Sequence, residues 1–144
     1  MATVELRFSA QPEHVRTARL VAAAVARRAG VDEAVLDEVR LAVGEACSRA
    51  VGLHRSHGVT APVRVKLSDE EKSFSIEVGD EVTTVGSGDV AGRSAGPDDE
   101  GDGEDEMGLA VISGLVDDME VSSNDGGGVI RMSWPLSAPP VAAP

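Results

Sequence analysis

The chain has 144 residues, a formal charge of −12 at pH 7, and 42% hydrophobic but only 2% aromatic residues. That length suits one compact domain with a single core, and the shortage of aromatics means the core must be built from Ala, Val, Leu and Ile. The negative balance argues against nucleic acid as a partner, because nothing would neutralise the phosphates. Much of the charge is local: seven acidic residues and no basic one lie in Asp98–Glu106, a run read as a solvated loop.

The N-terminal stretch MATVELRFSA has no charged leader and no apolar segment of signal-peptide type, and no run approaches a membrane span. The one cysteine, Cys47, sits among apolar positions and reads as a small core residue in a reducing compartment. A soluble cytoplasmic protein is the expectation.

In chain order, Val4, Leu6 and Phe8 alternate with Thr3, Glu5 and Arg7, as in a half-buried first strand. A helix follows, with Pro12 in its first turn and Val15, Leu20, Val21 and Val25 as its apolar stripe. Arg27 and Arg28 suit its C-terminus and Gly30 stops it. Arg16, Arg19 and Arg27 form a basic opposite face, a surface for an acidic partner or simply a solvated one. Asp32 reads as the N-cap of the next helix. That helix runs to about His54 and buries Val35, Val39, Ala42, Val43, Ala46, Ala50 and Leu53. Turning 100° per residue places Glu38, Glu45 and Arg49 at one edge of that stripe, where Glu45 and Arg49 suit an ion pair.

His54 and His57 read as residues of a polar helix end, complementing the helix dipole. VRVKLS and FSIEVGD make an antiparallel hairpin. Residues 85–105 are acidic and Gly-rich, with little to bury, and read as a disordered lid. Helical spacing returns at Met107, Ala110, Val111 and Leu115, and a second hairpin closes across Asn-Asp-Gly-Gly-Gly. Residues 137–144 form a Pro/Ala-rich tail read as disordered. The expected domain is 1–136. Its fold is α+β, a two-layer sandwich with a mixed, mostly antiparallel sheet covered by helices on one face.

The helix LAVGEACSRAV, the hairpin ending in Asp80, the lid and MGLAVISGLVDDMEV…GGGVIRMSW together resemble the bacterial anti-sigma-factor serine kinases of the histidine-kinase-like (GHKL) ATPase superfamily. The resemblance covers roughly residues 3–135 and implies that superfamily's fold. It also implies a helix motif like E-A-x-T-N-A, whose Glu is a general base and whose Asn holds the magnesium of ATP. The matching residues are Glu45, Ala46, Cys47, Ser48, Arg49 and Ala50, so the base position is kept and an arginine replaces the metal ligand. A guanidinium has only donors and a permanent charge, and repels a cation. Leu53 stands where the family often has a His, with His54 one place later.

The family's D-x-G-x-G, which holds adenine, is matched by Asp80 with Val82 and Thr84 in place of the glycines. Its phosphate-wrapping G-x-G-L is matched at Gly108 and Leu109, with Glu106 in place of the first glycine. The resemblance therefore implies a degenerate ATP pocket of Ser48, Arg49, Asp80, Gly108 and Leu109, with no resident metal. The implied function is that of an anti-sigma-like pseudokinase in transcription regulation. It would bind a sigma factor and/or an anti-sigma-factor antagonist by partner switching, with impaired ATP binding and no nucleic-acid or membrane partner. Homodimerisation is compatible with the family. The alternative is an active serine kinase that uses ATP and Mg²⁺, with Glu45 as base; a third is a pocket where Arg49 binds an anion directly.

Overall fold

In the computed structural model the described residues are 2–82, 109–124 and 127–136. Strand β1 (Ala2–Phe8) is followed by helix α1 (Pro12–Ala29), a 3-10 turn (Glu33–Val35), helix α2 (Leu36–Ser56) and the strands β2 (Val63–Asp69) and β3 (Ser73–Gly79). A short helix, α3 (109–115), precedes β4 (Asp118–Asn124) and β5 (Gly127–Pro135). The five strands form one sheet in the order β1-β2-β3-β5-β4. All four neighbouring pairs are antiparallel. The expected α+β sandwich is present, and its sheet is antiparallel at every pairing of the described strands.

Alternation along the strands sends one set of side chains toward the helices. Val63, Val65 and Leu67 of β2, Phe74, Ile76 and Val78 of β3, and Ile130, Met132 and Trp134 of β5 are all buried there. The register makes Phe74 face Trp134, Ile76 face Met132 and Val78 face Ile130, so apolar pairs run along the β3–β5 seam. The Trp134 indole N–H donates to the Leu115 carbonyl (3.2 Å), tying α3 to the sheet. The opposite face carries polar residues of the described strands, among them Glu5, Lys66, Glu77, Arg131 and Glu120.

Helix α1 begins at Pro12, as expected, and stops at Gly30, whose φ of 108° is left-handed. There the Gly30 and Val31 amides return to the Ala26 carbonyl at 3.2 and 3.0 Å, satisfying the last turn. Its buried face differs from the expected stripe. Ala18, Ala22 and Ala26 are fully covered, Val15 and Ala23 nearly so, whereas Leu20 is 59% exposed. The reason is close helix packing. Gly44 of α2 has the Arg19 side chain lying over it, so near that an added Cβ would sit 2.8 Å from Arg19 Cδ. Ala18, Ala22 and Ala26 join the core cluster with the buried residues of α2. Two members of the expected basic face are thus engaged within the protein: Arg19 covers α2, and Arg27 Nε lies 3.0 Å from Glu33 Oε2.

Helix α2 follows its predicted pattern more closely, burying Val39, Ala42, Val43, Ala46, Cys47, Ala50 and Val51. Asp32 is the expected cap, but of the 3-10 turn: its Oδ1 accepts from the Ala34 amide at 2.9 Å.

Candidate functional site

The sequence-predicted positions fall on α2 and on the turn that leaves β3. On α2, Glu45 and Ser48 are exposed and Arg49 is half-buried. Arg49 has an interaction partner, and the expected Glu45–Arg49 pair is not among the ion pairs between described residues. The two side chains leave the helix 40° apart, and the slightly deeper one is the arginine. Leu109 is half-buried and packs against the core from α3. Gly108, Met107, Thr84, Glu106 and the 85–105 lid lie outside the described residues, as does the 137–144 tail.

Asp80 is 4% exposed, and its burial is matched by hydrogen bonds within the turn. Its Oδ1 accepts from the Val82 amide at 2.9 Å and the Gly128 amide at 3.3 Å. Its own amide donates to the Gly128 carbonyl at 2.9 Å. The other carboxylate oxygen lies 3.0 Å from where a Gly128 Cβ would stand. Gly127, at φ 136°, passes so close that a Cβ there would be 1.9 Å from the Asp80 carbonyl oxygen. Only glycines allow the β4–β5 hairpin to seat the turn. Val82, in place of the first family glycine, is 6% exposed and so occupies space with a packed side chain.

The same turn is tied on two further sides. Glu81 Oε2 lies 3.2 Å from Arg64 Nε of β2. The Glu81 amide donates to His54 Nε2 at 2.8 Å, and His54 Nδ1 lies 2.9 Å from the Ala61 carbonyl oxygen. His54 is fully buried in the last turns of α2. The reading of His54 as part of a polar helix end is therefore corrected. The spacing Val39, Val43, Ala46, Cys47, Ala50, His54 continues the buried stripe, and that signal was available in the sequence. His57 does sit at the helix end, exposed, with Nδ1 3.0 Å from the Leu53 carbonyl oxygen.

These residues fit the metal of a nucleotide poorly. Asp80 Oδ1 already takes two backbone amides, which leaves Oδ2 as the acceptor toward an adenine amino group. A magnesium ion needs oxygen ligands, and the matching position is Arg49, which offers only donors. Among the described residues no group of three His, Cys, Asp or Glu side chains is placed to hold a metal. Cys47, one place before Ser48, is enclosed, and burial pushes its thiol up to about 12 from an ordinary 9.0. It is no nucleophile. A half-open apolar cleft of about 280 Å³, lined by Leu6, Phe8, His14 and Ala18 among others, lies between β1 and α1, two strands away from β3.

The histidine kinase-like ATPase domain model matches residues 8–134. The chain belongs to that family. It is 27% identical over 128 residues to the serine-protein kinase RsbW of Bacillus velezensis, covering 85% of this chain and 79% of the relative. The serine-protein kinase RsbW of Listeria monocytogenes is 26% identical over 136 residues, covering 91% and 86%. The RsbW of Bacillus subtilis is 27% identical over 128 residues, covering 85% and 79%. A crystal structure of the RsbU and RsbW domains of Rv1364c from Mycobacterium tuberculosis superposes with a TM-score of 0.67 at 18% identity, covering 96% of this chain and 34% of that one. That likeness concerns the fold. Among the described residues no helix is long and apolar enough to cross a membrane.

Proposed function

We propose that this member of the histidine kinase-like ATPase family acts as an anti-sigma-like regulator by partner switching, with impaired ATP binding and kinase activity. Its partners would be a sigma factor, an anti-sigma-factor antagonist, or both. Support comes from the RsbW relatives, which span most of the chain. The observation that carries the impaired pocket is the packed Val82 side chain two residues after Asp80. Asp80 Oδ1 is held by the Val82 and Gly128 amides, and the Val82 side chain is packed where the family has glycine. Phosphoryl transfer depends almost wholly on positioning and charge neutralisation, so a crowded Asp80 turn and an arginine at the metal position together weaken its basis.

The alternative, an active serine kinase, is favoured by one feature. Glu45 stands exposed on α2, accessible to a substrate hydroxyl. Calorimetric and thermal-shift titration with ATP and Mg²⁺ separates the two. Ligand stabilisation grows as RT ln(1 + [L]/Kd), so a weak site yields almost no shift at millimolar nucleotide. A clear shift, with metal-dependent phosphate transfer to an antagonist that Glu45→Ala abolishes, would establish the kinase. Under the proposed reading Glu45→Ala leaves antagonist and sigma-factor binding within about two-fold of wild type, below the scale of a single lost hydrogen bond.

A further inference from the structure

The three consecutive amides of the Asp80–Val82 turn all donate to groups of this chain. Asp80 N–H donates to the Gly128 carbonyl, Glu81 N–H to His54 Nε2, and Val82 N–H to Asp80 Oδ1. The first bond joins backbone to backbone and the third lies within the turn. The middle one alone reaches a side chain on a helix. A backbone amide can only donate, so the His54 Nε2 it meets carries no proton. A carbonyl can only accept, so the proton sits on Nδ1 and points at Ala61. The two partners fix one neutral tautomer of a fully buried ring.

We propose that His54 is a positioning residue. It ties the Asp80–Val82 turn to α2, so that the floor of the pocket keeps one shape without a bound nucleotide. Helix α2 is a rigid rod, and His54 stands nine positions after Glu45, about 13 Å along the axis. By gripping Glu81, the imidazole sets the turn at a fixed distance from Glu45, Ser48 and Arg49. The Arg64–Glu81 pair at 3.2 Å holds the same residue from β2. A surface assembled this way needs no ATP to order it, as a partner-binding module with an impaired pocket requires. The significance of the proposal rests on the reading given under Proposed function; its test does not.

The two ring nitrogens can be replaced one at a time. His54→Gln places an amide oxygen near Nε2 and keeps an acceptor for Glu81; His54→Asn places an amide nitrogen near Nδ1 and keeps only the donor to Ala61. Amide hydrogen exchange of the full chain, without ligand or partner, reads the difference. In His54→Asn the Glu81 and Val82 amides are expected to exchange about ten-fold faster relative to β2, β3 and β5. In His54→Gln they should stay within about two-fold of wild type, as the bond to Glu81 is retained. Unchanged exchange at Glu81 in His54→Asn overturns the proposal. So does an equal acceleration across the whole sheet in both variants, which would make His54 a core residue only.

Should either variant fail to fold, proton–nitrogen correlation spectra of the wild-type imidazole decide. The Nδ1–H tautomer with a coupling from the Glu81 amide into Nε2 is expected, and an Nε2–H tautomer overturns the proposal. Loss of the partner-switching reading, by contrast, would leave the exchange pattern untouched.

Discussion

At the scale of single residues, enclosure decides chemistry. Cys47 lies within a motif-like stretch beside exposed Ser48, yet its thiol is shut into the α2 core and pushed up to about 12. Native protein at pH 8 should therefore resist iodoacetamide, and unfolding in guanidinium should expose one rapidly alkylated thiol. A group whose folded value is raised gives stability below its unfolded value and loses it as pH climbs. For Cys47 that window opens near 9 and runs toward 12. Cys47→Ala should flatten the alkaline fall in stability there, as followed by urea denaturation.

Gly127 makes the opposite point, since what matters is an atom it lacks. With φ 136° and the Asp80 carbonyl oxygen 1.9 Å from any Cβ, Gly127→Ala must displace the turn or the hairpin. A loss of about 3 kcal/mol in chemical denaturation is expected, combining left-handed backbone strain with a direct clash.

At the scale of elements, the polar face of the sheet shows an ordering that no single strand contains. Cross-strand neighbours run Glu5, Lys66, Glu77, Arg131 and Glu120 in one row, alternating in sign over all five strands. Arg131 is its most connected member, with Nη2 3.2 Å from Glu70 Oε2 and Nε 3.6 Å from Glu77 Oε2. Each such pair is partly exposed and contributes modestly. Reversing one charge, however, turns several contacts repulsive at once. Arg131→Glu should cost about 1–2 kcal/mol in urea denaturation, and Arg131→Gln less, because it removes attraction without adding repulsion. Every apolar side chain of β2 and β3 points the other way.

At the scale of the whole molecule, helix α2 and the sheet meet at the turn after β3, and there the chain contacts itself. The turn after β3 is gripped by α2 through His54, by β2 through Arg64 and by β5 through Gly128. Three elements fasten two residues, Asp80 and Glu81, and under the proposed function this would give a partner-binding surface a fixed shape. The proposed loss of kinase function is thus more than a list of altered motif residues.

Periodicity alone determined the order of elements, the strand faces and the α2 stripe, because the repeats of 2.0 and 3.6 are local properties of backbone geometry. The altered motif positions 49 and 82 were legible for the same reason: their chemistry is written in residue type. The buried face of α1 was not, since a stripe of valines and leucines outranks alanines on hydrophobicity. The packing of α1 against the rest of the core is what puts Ala18, Ala22 and Ala26 inside. Nor could spacing alone give His54 its partners. Its place on the buried stripe was readable, but Ala61 and Glu81 reach it only when the sheet folds under α2. A buried polar ring acquires its role from the backbone groups that surround it, and those are brought there by tertiary structure.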